Sequence, residues 1–421
     1  MRRSELGKKY SGQSGIRQLM DDLGSALAAP GKNYILGGGN PALISEVTEV
    51  WRRRMHSILG DTDSFDRMLG IYDTPQGRPR FIRAVASMLN DEYGWPLSER
   101  NIAVTNGSQS AFHMIFKLFG GRHSDGVRRK ILFPLLPEYI GYADQSVHKE
   151  DFVARRPLIE HIDEHTHKYH IDFERLGVDD EIAAICVSRP TNPSGNVLTN
   201  AEITRLAALA ESWNIPLLVD NAYGSPFPDI IFVDAHPIWN EHIVLAFSLS
   251  KIGLPSLRTG IVIANEEIIN ALSAMNAIFS LSTGTVGQAI TEELIETKEI
   301  LEMSRLIVRP FYERKAEHAL RCVRSAFGNR FPYSLHRVEG SLFLWLWFPD
   351  LPDTTVELYE RLTARNVVIV PGVYFFYGND DAWEHRDRCI RLNYAMDDNE
   401  VADGIKIIAE EVERMYDEKN E

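Results

Sequence analysis

Between residues 100 and 265 the sequence repeats one alternation. A short, almost wholly apolar run is followed by a polar or glycine-rich loop and then by a helical pattern. The apolar runs lie at 102–105, 131–134, 182–188, 215–220, 243–247 and 260–263. Runs this continuous lack the in–out alternation of a half-exposed strand and read as strands covered on both faces. Interleaved with helices, they specify an α/β fold built on a mostly parallel sheet. In such a sheet a ligand is expected outside the carboxyl ends of the strands.

The residues that end these runs carry chemistry. Asn106-Gly107-Ser108-Gln109-Ser110 leads from a strand into an apolar helix. Free backbone N–H groups and the positive helix end make that turn an anion site, and a plain serine cap is the other reading. Tyr139 and Tyr142 follow the run at 131–134 and can either stack on a flat ligand or pack. Arg189-Pro190-Thr191-Asn192-Pro193 follows 182–188, where a rigid Asn192–Pro193 bond, with the cis form open to it, is expected to aim the Asn192 amide inward. Asp220 ends a buried run, which is costly for an unpaired carboxylate, and Tyr223 offers a phenol close by.

Ser248, Ser250 and Lys251 close the run at 243–247, and Arg258 follows within the same loop. Two hydroxyls and a guanidinium can hold a phosphate. A lysine desolvated beside another cation has a lowered pKa and can form a Schiff base. A lone lysine of this kind is ordinarily a solvated surface residue. It is the gathering of Asn106–Ser110, Tyr139, Asn192, Asp220 and Tyr223 on the same sheet edge that sets Lys251 apart.

Elsewhere the signals are plainer. Residues 1–35 are mixed and polar and read as an arm, and Gly37-Gly38-Gly39 allows close backbone approach. Four histidines, His161, His165, His167 and His170, fall in a polar segment that reads as a solvated hairpin or loop with no metal. Asn200 is the expected cap of a helix running to Ser212. The last third mixes strands, among them 341–348 and 388–394, with helices and reads as a smaller α+β domain.

Composition narrows the functional classes. With 45 Lys+Arg against 59 Asp+Glu, the net charge of −14 argues against a nucleic-acid surface. The three widely spaced cysteines fit a reducing compartment, hence the cytoplasm. No apolar run reaches the roughly 18 residues of a membrane span, and the first ten residues lack the apolar stretch of a signal peptide.

Taken together, Tyr72 with Gly77, Asn106 to Gln109, Asn192-Pro193 with Gly195, Asp220 with Tyr223, Ser248 to Lys251 with Arg258, and Arg391 resemble, in family order, the fold-type I pyridoxal-phosphate aminotransferases. The resemblance runs over nearly the whole chain. It implies an aspartate aminotransferase-like fold: a mostly parallel, seven-stranded-type sheet covered by helices, with a smaller α+β domain. It implies residues 1–48 as an arm and part of the small domain, 49–312 as the large cofactor-binding domain and 313–421 as the small C-terminal domain.

It also implies the roles. Lys251 holds pyridoxal 5′-phosphate covalently and then serves as general base, Asp220 pairs with the pyridine nitrogen, and Tyr223 and Asn192 bond the ring oxygen. Tyr139 stacks on the ring, while Ser108, Gln109, Ser248, Ser250 and Arg258 hold the phosphate. Tyr72 reaches the phosphate of a neighbouring subunit, which implies a homodimer. Arg391 grips the substrate carboxylate, with Asn192 and the backbone of Gly39 beside it.

Within the family, the stretches 36–41, 133–143, 188–193 and 343–348 are similar to members that work on valine and pyruvate. The implied reaction is L-valine and pyruvate to 3-methyl-2-oxobutanoate and L-alanine. Transamination over another substrate range and a C–S lyase of the same fold share these cofactor residues. A ligand-sensing half of a transcription regulator is disfavoured, since the core begins within about 35 residues and the charge is acidic.

Overall fold

In the computed structural model, which describes residues 2–12, 14–28 and 32–420, the six apolar runs form one sheet. Its strands lie in the order Ile102–Thr105, Gly260–Ile263, Ile243–Ser248, Leu217–Asp220, Ile182–Ser188 and Arg128–Phe133. Two further strands, Phe152–Ala154 and the two-residue Gly121–Arg122, both pair with Arg128–Phe133. The pairings are parallel except for Gly260–Ile263, antiparallel to both neighbours, and the short Gly121–Arg122. Seven strands of three residues or more, mostly parallel, match the expected sheet.

Successive side chains on each strand enter different cores, as a period of two requires. Ile243, Leu245 and Phe247 join one apolar cluster, whereas Val244 and Ala246 join the other. Leu217 and Val219 separate from Leu218 in the same way, and Ile185 and Val187 from Ala184 and Cys186. Helices Ser108–Phe119 and Glu266–Ser280 cover the second face. Helices Pro79–Tyr93, Asn200–Ser212 and Val286–Glu296 cover the first. Both faces being dry explains why these runs carry no polar alternation.

A second sheet has the order Val370–Pro371, Cys389–Asn393, Phe343–Trp347, Ser334–His336, Thr166–His170 and Leu158–Asp163. Helices Arg309–Phe327 and Asp398–Asn420 contribute Tyr312, Ala319, Ile405 and Ile408 to its core. Near the start of the chain, Tyr34–Ile35 pairs with Val367–Val368.

Two local expectations are corrected. The histidine segment is a hairpin, yet only its outer strand is solvated; Thr166–His170 lies inside the second sheet, with His167 fully buried. The helix after Asn192 is capped by Thr199 rather than Asn200, because Thr199 and Glu202 form a reciprocal capping box. The arm contains helices Glu5–Tyr10 and Gly15–Ala28. Among the described residues no helix is long and apolar enough to cross a membrane.

Candidate active site

Five strands end on the same sheet edge, at Thr105, Phe133, Ser188, Asp220 and Ser248, and their loops close around a cavity of about 190 Å³. The register sets Ser188 beside Asp220 on neighbouring strands, and Ser248, Gly260 and Thr105 side by side. Of the thirteen residues expected in the site, twelve line or border this cavity; the exception is Tyr72.

Lys251 sits in a single tight turn, Leu249–Ile252, started by the Ser248 hydroxyl, which accepts the Ser250 N–H at 3.2 Å. Its amine donates to the Gly39 carbonyl at 2.8 Å and stands 5.3 Å from the centre of the Tyr223 ring. Burial, then the nearby charges of Arg391 and Arg258, lower its pKa to about 8, against the opposing charge of Asp220. An amine so held is partly neutral, and nucleophilic, near neutral pH.

Gly37, Gly38 and Gly39 present three successive carbonyls to three different side chains. Arg391 donates to Gly37 at 2.7 Å, Asn393 to Gly38 at 2.8 Å and Lys251 to Gly39. A Cβ on Gly37 would meet the Ile369 carbonyl oxygen at 2.9 Å. The glycine run therefore ties the beginning of the chain to the second sheet and to Lys251 at once.

Arg391 lies mid-strand in Cys389–Asn393 and is 2% exposed. Its Nη1 donates to the Asn192 side-chain oxygen at 2.7 Å, and the guanidinium packs over the Phe343 ring at 4.2 Å. Burial lowers its pKa to about 10, so it stays charged at neutral pH. The cis bond of the preceding loop is Arg189–Pro190, not Asn192–Pro193. Asn192 nonetheless points inward, drawn by Arg391.

Opposite Arg391, Gly107 caps helix Ser108–Phe119 with φ at +89°. A Cβ there would lie 2.2 Å from Nη2 of Arg258, and one on Gly260 would lie 2.6 Å from the Ser108 nitrogen. These glycines let the guanidinium, the helix N-terminus and the Ser250 hydroxyl, 3.4 Å from Arg258 Nη1, crowd one corner. Helix N–H groups, a guanidinium and serine hydroxyls form a cradle for a dianion.

Between these corners lies Asp220, buried, whose Oδ1 accepts the Ala222 N–H at 3.0 Å and whose Oδ2 accepts from Tyr142 at 2.5 Å. Burial raises its pKa, while the Tyr142 hydroxyl, the Ala222 N–H and the Lys251 charge pull it down. Tyr139 borders the same space, its ring edge-on to Tyr142 at 5.1 Å. Beneath it Glu138 is fully enclosed and accepts from the Tyr139 N–H, the Ser188 N–H and the Ser188 hydroxyl.

Tyr72 is 79% exposed, away from the cavity. The reading from residue types left Tyr142 between stacking and packing, and missed Ser188, Asn393, which bonds Gly38, and the helix Gly15–Ala28, whose Ile16 and Leu19 line the cavity. A buried Asp220 demands donors, and that demand was the available signal for Tyr142. The assembly can hold a dianion at one end, a carboxylate at the other, and a nucleophilic amine between them.

Comparison with known proteins agrees with this geometry. The family model described as aminotransferase class I and II matches residues 36–408. The valine–pyruvate aminotransferase of Escherichia coli (strain K12) is 47% identical over 418 residues, covering 99% of both chains. A solved structure of a putative amino-acid aminotransferase from Psychrobacter arcticum 273-4 superposes with a TM-score of 0.96 at 44% identity, covering 99% of each chain. The valine-pyruvate aminotransferase from Salmonella typhimurium LT2 superposes with a TM-score of 0.88 at 45% identity, covering 96% of this chain and 100% of that one. The fold, the strand-end cavity and these matches agree: the chain is an enzyme of the class I and II aminotransferases.

Proposed function

We propose that this enzyme exchanges the amino group of L-valine with pyruvate, giving 3-methyl-2-oxobutanoate and L-alanine, with pyridoxal 5′-phosphate held on Lys251. The observation that carries the cofactor is Lys251 itself, an amine with a pKa near 8 between a dianion cradle and a buried carboxylate. The fit is good on this chain's own residues. Arg258, Ser108, Gln109, Ser248 and Ser250 suit the phosphate, and Asp220 suits a protonated ring nitrogen. The Nε of Arg391, buried without a partner, suits a bound carboxylate. The substrate pair is supported by the names of the full-length relatives and by the apolar Ile16 and Leu19 at the cavity mouth.

When bound, the cofactor supplies an electron sink for charge developing at the substrate Cα. The rest falls to the protein. Arg391 fixes the substrate carboxylate, oriented by Asn192, with the Gly39 backbone alongside. Lys251 takes the proton from the substrate Cα and returns it on the way to product. Asp220 would pair with the ring nitrogen and keep it protonated, Tyr223 and Asn192 would hydrogen-bond the ring oxygen, and Tyr139 would border the ring. The exposed Tyr72 serves the phosphate corner of a second copy, which makes the working unit a homodimer. The exposed Ile71, Ile278, Phe279 and Leu281 support such pairing.

The domain reading, 1–48 with 313–421 against 49–312, is supported by the pairing of Tyr34–Ile35 with Val367–Val368. The hairpin Leu158–His170 crosses that division, since it extends the second sheet. The unpaired cysteines support a cytoplasmic location.

The test is product stoichiometry. L-valine plus pyruvate should yield 3-methyl-2-oxobutanoate and L-alanine in equal amounts. L-valine alone should yield at most one oxo acid per site. Continued oxo-acid release without an acceptor contradicts the proposal.

A further inference from the structure

The roles above leave Tyr142 unused, although it is fully buried in the wall of the cavity. Its ring belongs to an aromatic cluster, with centroids 4.9 Å from Phe112, 5.1 Å from Phe116 and 6.3 Å from Phe133. A phenylalanine would fill that cluster equally well. The hydroxyl is turned out of it and donates to Asp220 Oδ2 at 2.5 Å. A buried phenol with one partner is informative, because buried polar atoms are kept where they meet a specific need.

That need is visible at Asp220. The carboxylate receives one donor on each oxygen, Ala222 N–H on Oδ1 and Tyr142 on Oδ2. Among the described residues no arginine or lysine forms an ion pair with it within 4 Å. A second enclosed carboxylate, Glu138, lies in the same region; Asp220's charge helps push it up to about 7, after burial. Two buried carboxylates near one another favour a proton on one of them. Burial raises the pKa of Asp220, and the Tyr142 hydroxyl is the strongest influence opposing that rise.

We propose that Tyr142 is a positioning residue, whose hydroxyl fixes the Asp220 carboxylate in the cavity-facing pose that accepts the cofactor's ring N–H. This rests on the cofactor reading above. Tyr142 touches neither substrate nor the reacting atoms; it acts through Asp220. A hydrogen bond to a charged group of this kind corresponds to about a 10- to 100-fold effect on cofactor affinity.

The experiment is a double-mutant cycle on pyridoxal 5′-phosphate affinity, read by equilibrium dialysis with the full chain. Tyr142→Phe should weaken binding about 10- to 100-fold, with KM for L-valine within about twofold of the parent. In the Asp220→Asn background the same change should have no further effect. Phe112→Leu loosens the ring cluster and keeps the hydroxyl; it should lower the melting temperature and leave affinity within about twofold. Equal losses from Tyr142→Phe in both backgrounds, no loss at all, or a matching loss in Phe112→Leu overturns the assignment. If the parent chain takes up no pyridoxal 5′-phosphate, the functional reading falls, and this inference with it. If it takes it up and Tyr142→Phe is indistinguishable, this inference alone falls.

Discussion

Arg391 donates to the side-chain oxygen of Asn192 at 2.7 Å, joining the middle of the second sheet to the loop that follows strand Ile182–Ser188. Its other terminal nitrogen reaches Gly37, and its Nε has no partner. Among the described residues no carboxylate pairs with this buried cation. An unpaired buried charge is costly, and an anion seated against Arg391 would offset that cost.

Replacing Arg391 with lysine keeps the charge and loses the planar fork. The expected result is a rise in KM of about 10- to 100-fold for L-valine and L-alanine alike, from the loss of a charge-assisted bidentate contact. Steady-state kinetics on both amino acids checks this. A rise for one and not the other would assign Arg391 to the side-chain pocket instead.

Lys251 titrates near 8 rather than its ordinary 10.5, through burial and the charges of Arg391 and Arg258. Its reactive form is the neutral amine, which grows as pH rises. The rate at which the cofactor-free protein takes up pyridoxal 5′-phosphate should therefore climb with pH and be half-maximal near 8. Arg391→Met removes one repelling cation and should move that midpoint upward. Stopped-flow absorbance across pH 6 to 10 reads both, and a midpoint near 10 in the parent contradicts the environment described.

Gly107→Ala places a methyl 2.2 Å from Arg258 Nη2 at a φ of +89°. Neither the backbone conformation nor the space suits it. Arg258 must retreat from the helix N-terminus, and cofactor affinity should fall by about tenfold or more, as expected for a lost contact to a phosphate. Dialysis measures it; unchanged affinity would remove Arg258 and Gly107 from the cradle.

His167 and His336, on neighbouring strands of the second sheet, are buried together with His385 of the short helix Glu384–Arg388. His336 donates through Nδ1 to the Arg337 carbonyl and accepts the Tyr169 N–H at Nε2, which fixes it neutral. Burial lowers His167 to about 3 and holds the other two well below their usual range. The sign follows. Folded, they stay neutral; unfolded, they protonate as pH falls through about 6.5, so stability is present above that value and is lost below it. Each contributes up to about 1.4 kcal/mol per pH unit in that window. Urea midpoints should fall between pH 7 and 5, and His167→Phe should reduce the slope by roughly a third. A midpoint flat across that range contradicts the burial of these rings.

The central sheet was legible because its strands are dry on both faces, so Ile182 to Ser188 and Ile243 to Phe247 read as unbroken apolar runs. The polar residue after each run then had one place to go. Other features lacked such a local signature. Tyr139 and Tyr142 occupy the same loop and both line the cavity, and only the fold decides that Tyr142 is the one whose hydroxyl holds Asp220. Three glycine carbonyls bond residues more than 200 positions away, which no local pattern encodes. Thr166–His170 hides its burial behind histidines and a lysine, whose amine pairs inside with Glu339. The helix Gly15–Ala28 lies in a stretch that reads as polar, yet its Ile16 and Leu19 meet the cavity.

The most direct measurement is the visible absorption spectrum of the purified protein loaded with pyridoxal 5′-phosphate, taken before and after L-valine and then after pyruvate. The account predicts a band in the parent chain that bleaches with L-valine and returns with pyruvate, and no covalently retained band in Lys251→Ala. A band that stays unchanged with L-valine, or one equally retained in Lys251→Ala, would contradict the assignment of this amine to the reaction.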